Sequence, residues 1–386
     1  MSMGNPVDPV FERAFGGAPA LCARAPGRVE VIGNHTDYNG GTVIGAAIDR
    51  SVWVAIRARA DASMVLVTET MPTPITVKGP IARQGGDAAW GNYPLGVLKA
   101  LEKRGLERDG GFELAVAADL PLGAGLSSSA ALELSSAIAF CEAFDLKLSR
   151  SELALACREA ENEFVGVPCG ILDQGVSAFG EADKLVHIDC RGPTFSVVPT
   201  PGGIHFWIFS TRQKHALIES LYSTRHQECM AAVVAVAEVF PDVKLLADID
   251  SARLDTVMDR MPDAIGRRAR HVVEEIERVG RASSAFSSGD LNEAGRLLLE
   301  SHGSSRLLFE NSTEELDYLV EVLAETPGVY GARLTGGGFG GAVMAMADES
   351  FGAEDAGSVG ARFSGRFGAP AEIIHVRMAD GASLCK

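Results

Sequence analysis

The first half of the chain is dominated by segments whose apolar and polar positions alternate, which is the period of a β-strand. Residues 20–80 contain three such segments, and all three are rich in β-branched side chains. In later segments the apolar residues recur at helical spacing instead. We therefore predict helices over residues 88–104, 127–144 and 150–165, with further strands over residues 112–120 and 184–190.

The second half follows a turn-rich segment, residues 191–203, which carries three prolines and three glycines. We place the domain junction there, so that the predicted domains are residues 1–195 and 196–386. Long helices dominate the second half, and residues 264–286 show the clearest apolar periodicity. A helix near residues 354–367 lies between two strand-like segments. Together these elements predict an α+β protein of two layers rather than a βαβ array.

One predicted strand ends in an unusual density of hydrogen-bonding side chains. The segment GRVEVIGNHTDYNGG, residues 27–41, reads as a strand that breaks at Gly33. Five polar side chains then follow without interruption, from Asn34 to Tyr38. A polar hairpin turn rich in Asn and Asp explains such a row. A binding site crowded with donors and acceptors explains it equally well.

A second segment has the features of a phosphate-binding loop. In DLPLGAGLSSSAALELSSAIAF, residues 119–140, a strand leads through glycines and serines into an alanine-rich helix. Gly123 and Gly125 let backbone amides point inward, and a helix starting near Ser128 directs its unpaired amides to the same space. The loop matches neither GxxxxGK[ST] nor GxGxxG. Serines that merely cap a core helix are the alternative.

Composition narrows the possible functions and partners. A length of 386 residues favours two domains, and a formal net charge of −16 argues against a nucleic-acid surface. No run of about eighteen apolar residues is present, so we expect no membrane partner. The seven cysteines are scattered without a CxxC pair, so neither a disulfide framework nor a zinc site is expected. With no secretory pattern at the N-terminus, these features favour a cytoplasmic protein.

Three segments, PGRVEVIGNHTDYNGG, PLGAGLSSSAALE and LTGGGFGGAVMA, resemble in order and spacing the signature motifs of the galactokinase family, within the GHMP kinase superfamily. Other family-like segments extend the resemblance from about residue 20 to residue 378. It implies a two-domain GHMP kinase fold, with an N-terminal domain like ribosomal protein S5 domain 2 and a ferredoxin-like C-terminal domain. It also implies ATP and Mg²⁺ as cofactors, and transfer of the ATP γ-phosphoryl group to the anomeric hydroxyl of galactose.

The resemblance assigns catalytic and metal-side roles to particular residues. Asp173 matches the catalytic aspartate that accepts the proton of the sugar's C1 hydroxyl. Arg28 matches the arginine that keeps this carboxylate ionised and offsets charge on the transferring phosphoryl group. Ser129 and Glu161 match the two magnesium-side positions. From the residues alone, Asp173 also fits a helix cap, Arg28 a solvent-facing strand end and Glu161 a solvated helix carboxylate.

The resemblance also assigns two sets of ligand-binding residues. The predicted sugar-binding residues are Asn34, His35, Thr36, Asp37, Gly170 and Tyr222. The predicted ATP-phosphate residues are Gly123, Ala124, Gly125, Leu126, Ser127, Ser128 and Ser129. Asp37 is expected to accept from the C3 and C4 hydroxyls, while His35 and position 34 lie near C6. A buried unpaired hydroxyl costs roughly 1–3 kcal/mol, which explains why a sugar site needs so many polar groups.

The chain departs from the family pattern at one pair of positions. Galactokinases usually read GRVNLIGEHTDYNGG, whereas here Glu30 stands at the asparagine position and Asn34 at the glutamate position. An amide at position 34 loses a charge-assisted hydrogen bond, which is roughly twice as strong as a neutral one. We therefore predict weaker or broader selectivity at the C6 position of the sugar.

Two alternative functions stay open from the sequence. The first is a kinase of a related sugar, such as N-acetylgalactosamine, fucose, arabinose or a heptose. The second is a sensor that binds ATP and sugar without efficient catalysis, but the complete SSSAA segment together with Arg28 and Asp173 argues against it. The expected partners are the small-molecule sugar and ATP, and the expected state is a monomer or weak homo-oligomer.

Overall fold

The computed structural model describes residues 5–121, 125–212 and 218–385. The α-helices in these ranges are α1 (Asp8–Phe15), α2 (Asn92–Glu102), α3 (Ser128–Ala143), α4 (Arg150–Glu159), α5 (Leu172–Phe179), α6 (Ile218–Ala237), α7 (Ser251–Asp255), α8 (Asp263–Ser288), α9 (Leu291–Ser304), α10 (Glu314–Ala324) and α11 (Ala353–Phe367). The strands are β1 (Leu21–Ile32), β2 (Thr42–Ala58), β3 (Ser63–Thr68), β4 (Met71–Lys78), β5 (Phe112–Ala118), β6 (Lys184–Asp189), β7 (Thr194–Pro199), β8 (His205–Ser210), β9 (Val329–Thr335), β10 (Ala342–Ala347), β11 (Glu372–Val376) and β12 (Ser383–Leu384). Within the described ranges, no helix has both the length and the apolar character needed to cross a membrane.

The chain forms two compact units, and each is discontinuous in sequence. The first unit comprises Met1–Arg28, Ala47–Glu181 and Ala379–Lys386, and the second comprises Val29–Ala46 and Ala182–Met378. Strands β1 and β2 contribute residues to both units. The sequence boundary after residue 195 stays a prediction.

The first unit contains a sheet and helices α1 to α5. Its strand order is β12-β1-β2-β5-β3-β4, with β3 parallel to β5 and antiparallel to β4. Helix α1 buries Val10 and Phe11 against small side chains of the strands, including Ala55 and Ala115. Helices α2 to α5 contact one another. The small residues at the start of α3, such as Ala130, are buried there.

The second unit contains an antiparallel sheet of order β11-β8-β10-β9. Its core includes Phe209 and Leu334 from the sheet and Leu319 and Phe363 from helices α10 and α11. A separate cluster of buried side chains joins α6, α7 and α8. Strand β6 pairs with the beginning of β2 and with β7.

The composition of residues 191–203 predicts a turn that connects two domains, but the structure has a strand in this segment. It contains β7, which pairs antiparallel with β6 over its whole length. Pro193 precedes this strand and Pro199 ends it, and a proline's missing N–H is tolerated at both kinds of position. The prolines therefore mark the two ends of a strand that the composition of the segment did not predict.

One disulfide departs from the expectation drawn from the cysteine pattern. Cys22 on β1 is bonded to Cys385, which follows β12, across a sequence separation of 363 residues. The two cysteines meet only because β1 pairs with β12 at the end of the chain. Spacing along the sequence carries no sign of such a contact. The cysteines outside this disulfide are Cys141, Cys157, Cys169, Cys190 and Cys229.

Helix α9 packs so closely on β9 that side chains are excluded from the contact. A Cβ added at Gly295 would lie 1.9 Å from the carbonyl oxygen of Tyr330. One added at Gly331 would lie 2.2 Å from the carbonyl oxygen of Gly295. Backbone atoms cannot move aside as side chains do, so the second unit needs glycine at both positions.

We predict that Gly295→Ala destabilises the protein by about 1–3 kcal/mol, the usual range for overpacking. Gly303→Ala on the same helix is the matched control, because a Cβ there meets nothing within 4 Å. Removing a helical glycine at an open position stabilises by about 0.5–1 kcal/mol. Urea unfolding of the two variants measures both effects. Equal stability changes would contradict the close contact between α9 and β9.

Candidate active site

A buried ion pair joins β1 to the first turn of α5 within the first unit. The Nε and Nη2 atoms of Arg28 lie 2.7 Å and 2.6 Å from Oδ1 of Asp173. Arg28 is only 6% exposed, so it is not a solvent-facing strand end. The N-cap of α5 is Ile171, and the carboxylate of Asp173 contacts Arg28 instead of capping the helix. Its place in the first helical turn suits a negative charge.

The loop before α3 is attached to the same ion pair. Nη1 of Arg28 donates to the carbonyl oxygen of Gly125 at 2.7 Å, and the backbone N–H of Arg28 donates to the carbonyl oxygen of Leu126 at 3.1 Å. Ser127 adopts a left-handed conformation, with φ 56°. Its hydroxyl makes no capping hydrogen bond and donates to Oδ2 of Asp173. The hydroxyl of Ser127 is therefore directed at the carboxylate, not at the helix.

The remaining predicted phosphate-loop residues fall into two groups. Gly123 and Ala124 lie outside the described residues. Ser128 and Ser129 form the first turn of α3, where backbone amides have no partner within the helix. These amides are free for hydrogen bonds to a ligand.

Glu161 lies beside this loop in a short π-helical segment, Ala160–Val165. It is 5% exposed and is therefore not a solvated helix carboxylate. Its Oε2 accepts from Nε2 of Gln174 at 2.7 Å and from Sγ of Cys169 at 3.3 Å. Burial, followed by the charge of Asp173, raises the pKa of Glu161, although hydrogen bonds including one from Ser129 oppose the rise. Ser129 and Glu161 are thus neighbours, and their role beside a metal ion stays a prediction.

No group of three or more His, Cys, Asp or Glu side chains in the described ranges is arranged to hold a metal ion. Magnesium does not need such a group, because it is commonly bound by one or two protein oxygens together with substrate phosphates and water.

In the second unit, the side chain of Asn34 is 1% exposed and bonded on every side to protein. Its Nδ2 donates to Oε1 of Glu30 at 2.9 Å and to the carbonyl oxygen of Gly336 at 2.8 Å. Its Oδ1 accepts from Nδ2 of Asn311 at 2.8 Å and from Oγ of Ser305 at 3.4 Å. The amide therefore links β1 to two other segments of the second unit.

His35 and Thr36 also use their polar atoms within the second unit. Burial lowers the pKa of His35 to about 3, so its imidazole is neutral. Its Nε2 donates to the carbonyl oxygen of Gly337 at 3.1 Å and its Nδ1 accepts from the hydroxyl of Tyr38 at 2.9 Å. The hydroxyl of Thr36 is shared between the carbonyl oxygens of Gly33 and Thr42. Much of the polar row following β1 thus orders the loop itself.

The other predicted sugar-binding residues are half-buried. Asp37 accepts a hydrogen bond from the backbone of Tyr38 at 2.9 Å. Tyr222, on α6, packs against the ring of His35 with ring centroids 5.1 Å apart. Gly170 lies in the loop that precedes α5 in the first unit. The structure thus brings Asn34, His35, Asp37 and Tyr222 together in the second unit.

The third glycine motif, residues 336–341, connects β9 to β10 and is held by the first motif through the hydrogen bonds from Asn34 and His35. Gly338 has φ +82°, and a Cβ there would lie 2.3 Å from the carbonyl oxygen of Asn311. Glycine is required at this position for both its conformation and the close approach of backbone.

The sequence did not reveal the buried charges that support these loops. Arg333 is 0% exposed, and its Nη1 lies 3.1 Å from Oε1 of Glu30. Glu275, also fully buried, accepts hydrogen bonds from the backbone N–H groups of Gly33 and Asn34 at 3.1 Å and 3.3 Å. Burial acts to raise the pKa of Glu275, but neighbouring positive charges, first Arg278, bring it below its usual value.

A signal for this support was present on helix α8. Its buried polar residues recur at spacings of three and four, which places them on one face of the helix. These residues are Arg268, His271, Glu275 and Arg278. A charged stripe on one helix face usually indicates a solvated surface, so the sequence pattern by itself does not predict that these side chains are buried.

Comparisons with known proteins identify the family of the chain. The chain matches the families described as GHMP kinases N terminal domain over residues 92–181, galactokinase galactose-binding signature over residues 9–58 and GHMP kinases C terminal over residues 282–365. It is 40% identical over 341 residues to the galactokinase of Roseiflexus sp. strain RS-1, covering 88% of this chain and 86% of that protein.

Solved structures give the same result. The crystal structure of Lactococcus lactis galactokinase complexed with galactose superposes with a TM-score of 0.92 at 33% identity, covering 97% of this chain and 98% of that one. Methanococcus jannaschii mevalonate kinase superposes with a TM-score of 0.66 at 19% identity, covering 94% and 99%, and so shares the fold. The predicted GHMP kinase fold is confirmed, and the chain belongs to the galactokinase family.

Proposed function

We propose that this protein is an ATP-dependent sugar 1-kinase that transfers the γ-phosphoryl group of ATP to the C1 hydroxyl of D-galactose. The observation that carries the proposal is the contact of Arg28 and Ser127 with the single carboxylate of Asp173 in the first unit. The names of the similar proteins and the matched galactose-binding signature support galactose as the sugar.

Phosphoryl transfer requires mainly positioning and charge neutralisation from the protein. In our proposal Asp173 accepts the proton of the C1 hydroxyl as that oxygen attacks the γ-phosphorus, and the bond from the γ-phosphorus to the bridging oxygen breaks to release ADP. Arg28 holds the carboxylate in place and offsets the negative charge of the phosphoryl oxygens. The hydroxyl of Ser127 fixes the second carboxylate oxygen, so the direction of Asp173 is set before substrate arrives.

Ser129 and Glu161 fit the requirements of a magnesium ion. Both offer the hard oxygen ligands that magnesium prefers, and the carboxylate of Asp173 is close enough to Glu161 to influence its pKa. When bound, the ion would neutralise charge on the ATP phosphates. We assign the phosphates themselves to the loop Gly123–Ser129 and the free amides at the start of α3.

For the sugar we propose direct contacts from the half-buried residues. In the second unit Asp37 accepts from the C3 and C4 hydroxyls and Tyr222 contacts the sugar, and the role of Gly170 in the first unit stays a prediction. Asn34, His35 and Thr36 act mainly by holding the loop, because their polar atoms are bonded to protein.

A second candidate function follows from the Glu30 and Asn34 positions. The negative charge at position 30 is paired with Arg333, and position 34 offers only an amide whose hydrogen bonds are already made. We therefore propose that sugars altered at C6, including fucose and arabinose, compete with galactose more effectively than they would at a site with a carboxylate at position 34. We place the protein in the cytoplasm as a monomer or weak homo-oligomer.

We expect galactose to give the highest kcat/KM when ADP release is measured with magnesium-ATP over a panel of free sugars. The panel contains galactose, 6-deoxygalactose, arabinose, N-acetylgalactosamine and a heptose. Galactose 1-phosphate should be the product, identified by its phosphorus coupling to the anomeric proton. A higher kcat/KM for any other member would replace galactose as the substrate. Tight binding of sugar and ATP without turnover would indicate a sensor.

We expect Asp173→Asn to lower kcat by about 10²- to 10⁴-fold, the usual contribution of a positioned acid or base. The amide keeps the size of the side chain but cannot accept the proton. Asp145→Asn is the matched control, because Asp145 is 90% exposed and asparagine tolerates its left-handed conformation. ATP affinity, measured by calorimetry, should be retained in both variants. A kcat within a few-fold of wild type would remove Asp173 from the mechanism.

The exchange of glutamate and asparagine between positions 30 and 34 is best tested with three variants: Glu30→Asn, Asn34→Glu and the double variant. Glu30→Asn leaves the buried guanidinium of Arg333 without its carboxylate and should destabilise by about 3–5 kcal/mol. Asn34→Glu places two carboxylates side by side in a buried site and should also destabilise. The double variant again has one carboxylate beside one amide, so urea unfolding should show part of the stability restored.

The same double variant tests selectivity at C6. A carboxylate at position 34 should raise the preference for galactose over 6-deoxygalactose by about five- to tenfold, because a charge-assisted hydrogen bond gains about 1 kcal/mol over a neutral one. The ratio of the two kcat/KM values is the measurement. An unchanged ratio in a stable double variant would show that position 34 has no influence on C6.

A further inference from the structure

Gln174 is a fully buried amide that bridges two buried carboxyl groups in the first unit. It follows Asp173 directly on α5. Its Nε2 donates to Oε2 of Glu133 at 3.0 Å and to Oε2 of Glu161 at 2.7 Å. Glu133, on α3, is also fully buried. One side chain therefore connects helix α3, helix α5 and the π-helical segment that carries Glu161.

This bridge is a poor way to stabilise a core. Oε1 of Glu133 and Oε1 of Gln174 are buried and have no hydrogen-bond partner among the described residues. An unpaired buried acceptor costs about 1–3 kcal/mol, and an apolar side chain of similar volume would avoid that cost. Packing alone therefore does not explain a glutamine here.

The hydrogen bonds around Glu161 do explain why a glutamine is present at position 174. Both the Gln174 amide and the Cys169 thiol donate to the same oxygen of Glu161, which fixes the orientation of that carboxylate. Glu133 in turn fixes the amide of Gln174 by accepting its other N–H. Groups that hold a metal-binding carboxylate in this way typically change metal affinity when they are removed.

We propose that Gln174 is a positioning residue that orients the carboxylate of Glu161 toward a divalent cation. Glu133 holds the amide of Gln174 in place by accepting a hydrogen bond from it. The inference rests on the proposed function, since that proposal gives Glu161 its metal-side role. Burial, with the nearby charges of Glu161 and Asp173, raises the pKa of Glu133 well above its usual value.

The test is the affinity for Mn²⁺ in the presence of ATP, measured on the intact chain by the electron paramagnetic resonance signal of free Mn²⁺. Gln174→Met keeps the length of the side chain and removes the amide. We expect it to weaken Mn²⁺ binding by about 10- to 100-fold, the usual effect of such supporting groups. ATP affinity without metal should change less than twofold. The Mg²⁺ concentration for half-maximal activity should rise by the same factor, and excess Mg²⁺ should restore kcat.

Ser177→Ala is the control for a merely structural effect. Ser177 is buried on the same helix, and its hydroxyl donates to the carbonyl oxygen of Pro26 at 2.6 Å. This variant should lose stability while its Mn²⁺ affinity stays unchanged. If Gln174→Met does not fold, Gln174→Asn serves instead, because an amide one methylene shorter cannot reach both carboxyl groups.

The possible results distinguish a failure of this inference from a failure of the proposed function. If wild type binds Mn²⁺ and phosphorylates its sugar, and a folded Gln174 variant binds Mn²⁺ equally well, the inference is overturned and the proposed function stands. If wild type binds ATP but no Mn²⁺, the metal assignment in the proposed function fails and the inference fails with it.

Discussion

The burial of one guanidinium group organises the first unit. Arg28 is removed from water, and a buried charge is tolerated only when it is paired and hydrogen-bonded. It finds the carboxylate of Asp173 and the carbonyl oxygen of Gly125, two groups from distant parts of the sequence. The requirement to satisfy this cation therefore sets the position of α5 relative to the serine loop. The same contacts leave Asp173 partly exposed, with its side chain 26% accessible, so a group fixed by the fold remains open to a ligand.

The second unit also contains a buried guanidinium group that must be paired, and the residues that pair with it are different. Arg333 is more deeply buried than Arg28, and its carboxylate partner among the described residues is Glu30. Asn34 then connects Glu30 to the glycine loop at Gly336. This accounts for the exchange of glutamate and asparagine seen in the sequence: the amide and the carboxylate remain in contact, but the charge lies at the buried arginine. An altered preference at C6 would be a consequence of where the charge is needed for folding.

The spacing of apolar and polar residues along the chain predicted many of the helices and strands. The features that it did not predict depend on contacts between segments that are distant in sequence. Helices α2 and α3 and strands β5 and β6 lie close to their predicted ranges, because periodicity is a property of neighbouring residues. Strand β7 was missed because its flanking prolines resemble a linker. The pairing of Arg28 with Asp173 crosses 145 residues, and only the family resemblance suggested it. For the polar row from Asn34 the sequence allows either a polar turn or ligand contacts, and much of its hydrogen bonding is internal.

Gln174 shows why the supporting residues of a site are harder to predict than its reactive ones. A glutamine after Asp173 has no distinctive spacing, and its two partners lie 13 and 41 residues away on other helices. Its significance appears only when the unpaired atoms around it are considered, since a core selected for stability alone would not retain them. Arg333 is a second supporting residue of this kind, because its Nε and Nη2 atoms are also buried without a partner among the described residues. Buried polar atoms without partners therefore lie beside the candidate site in both units, where they cost stability and are consistent with selection for the orientation of a few charged groups.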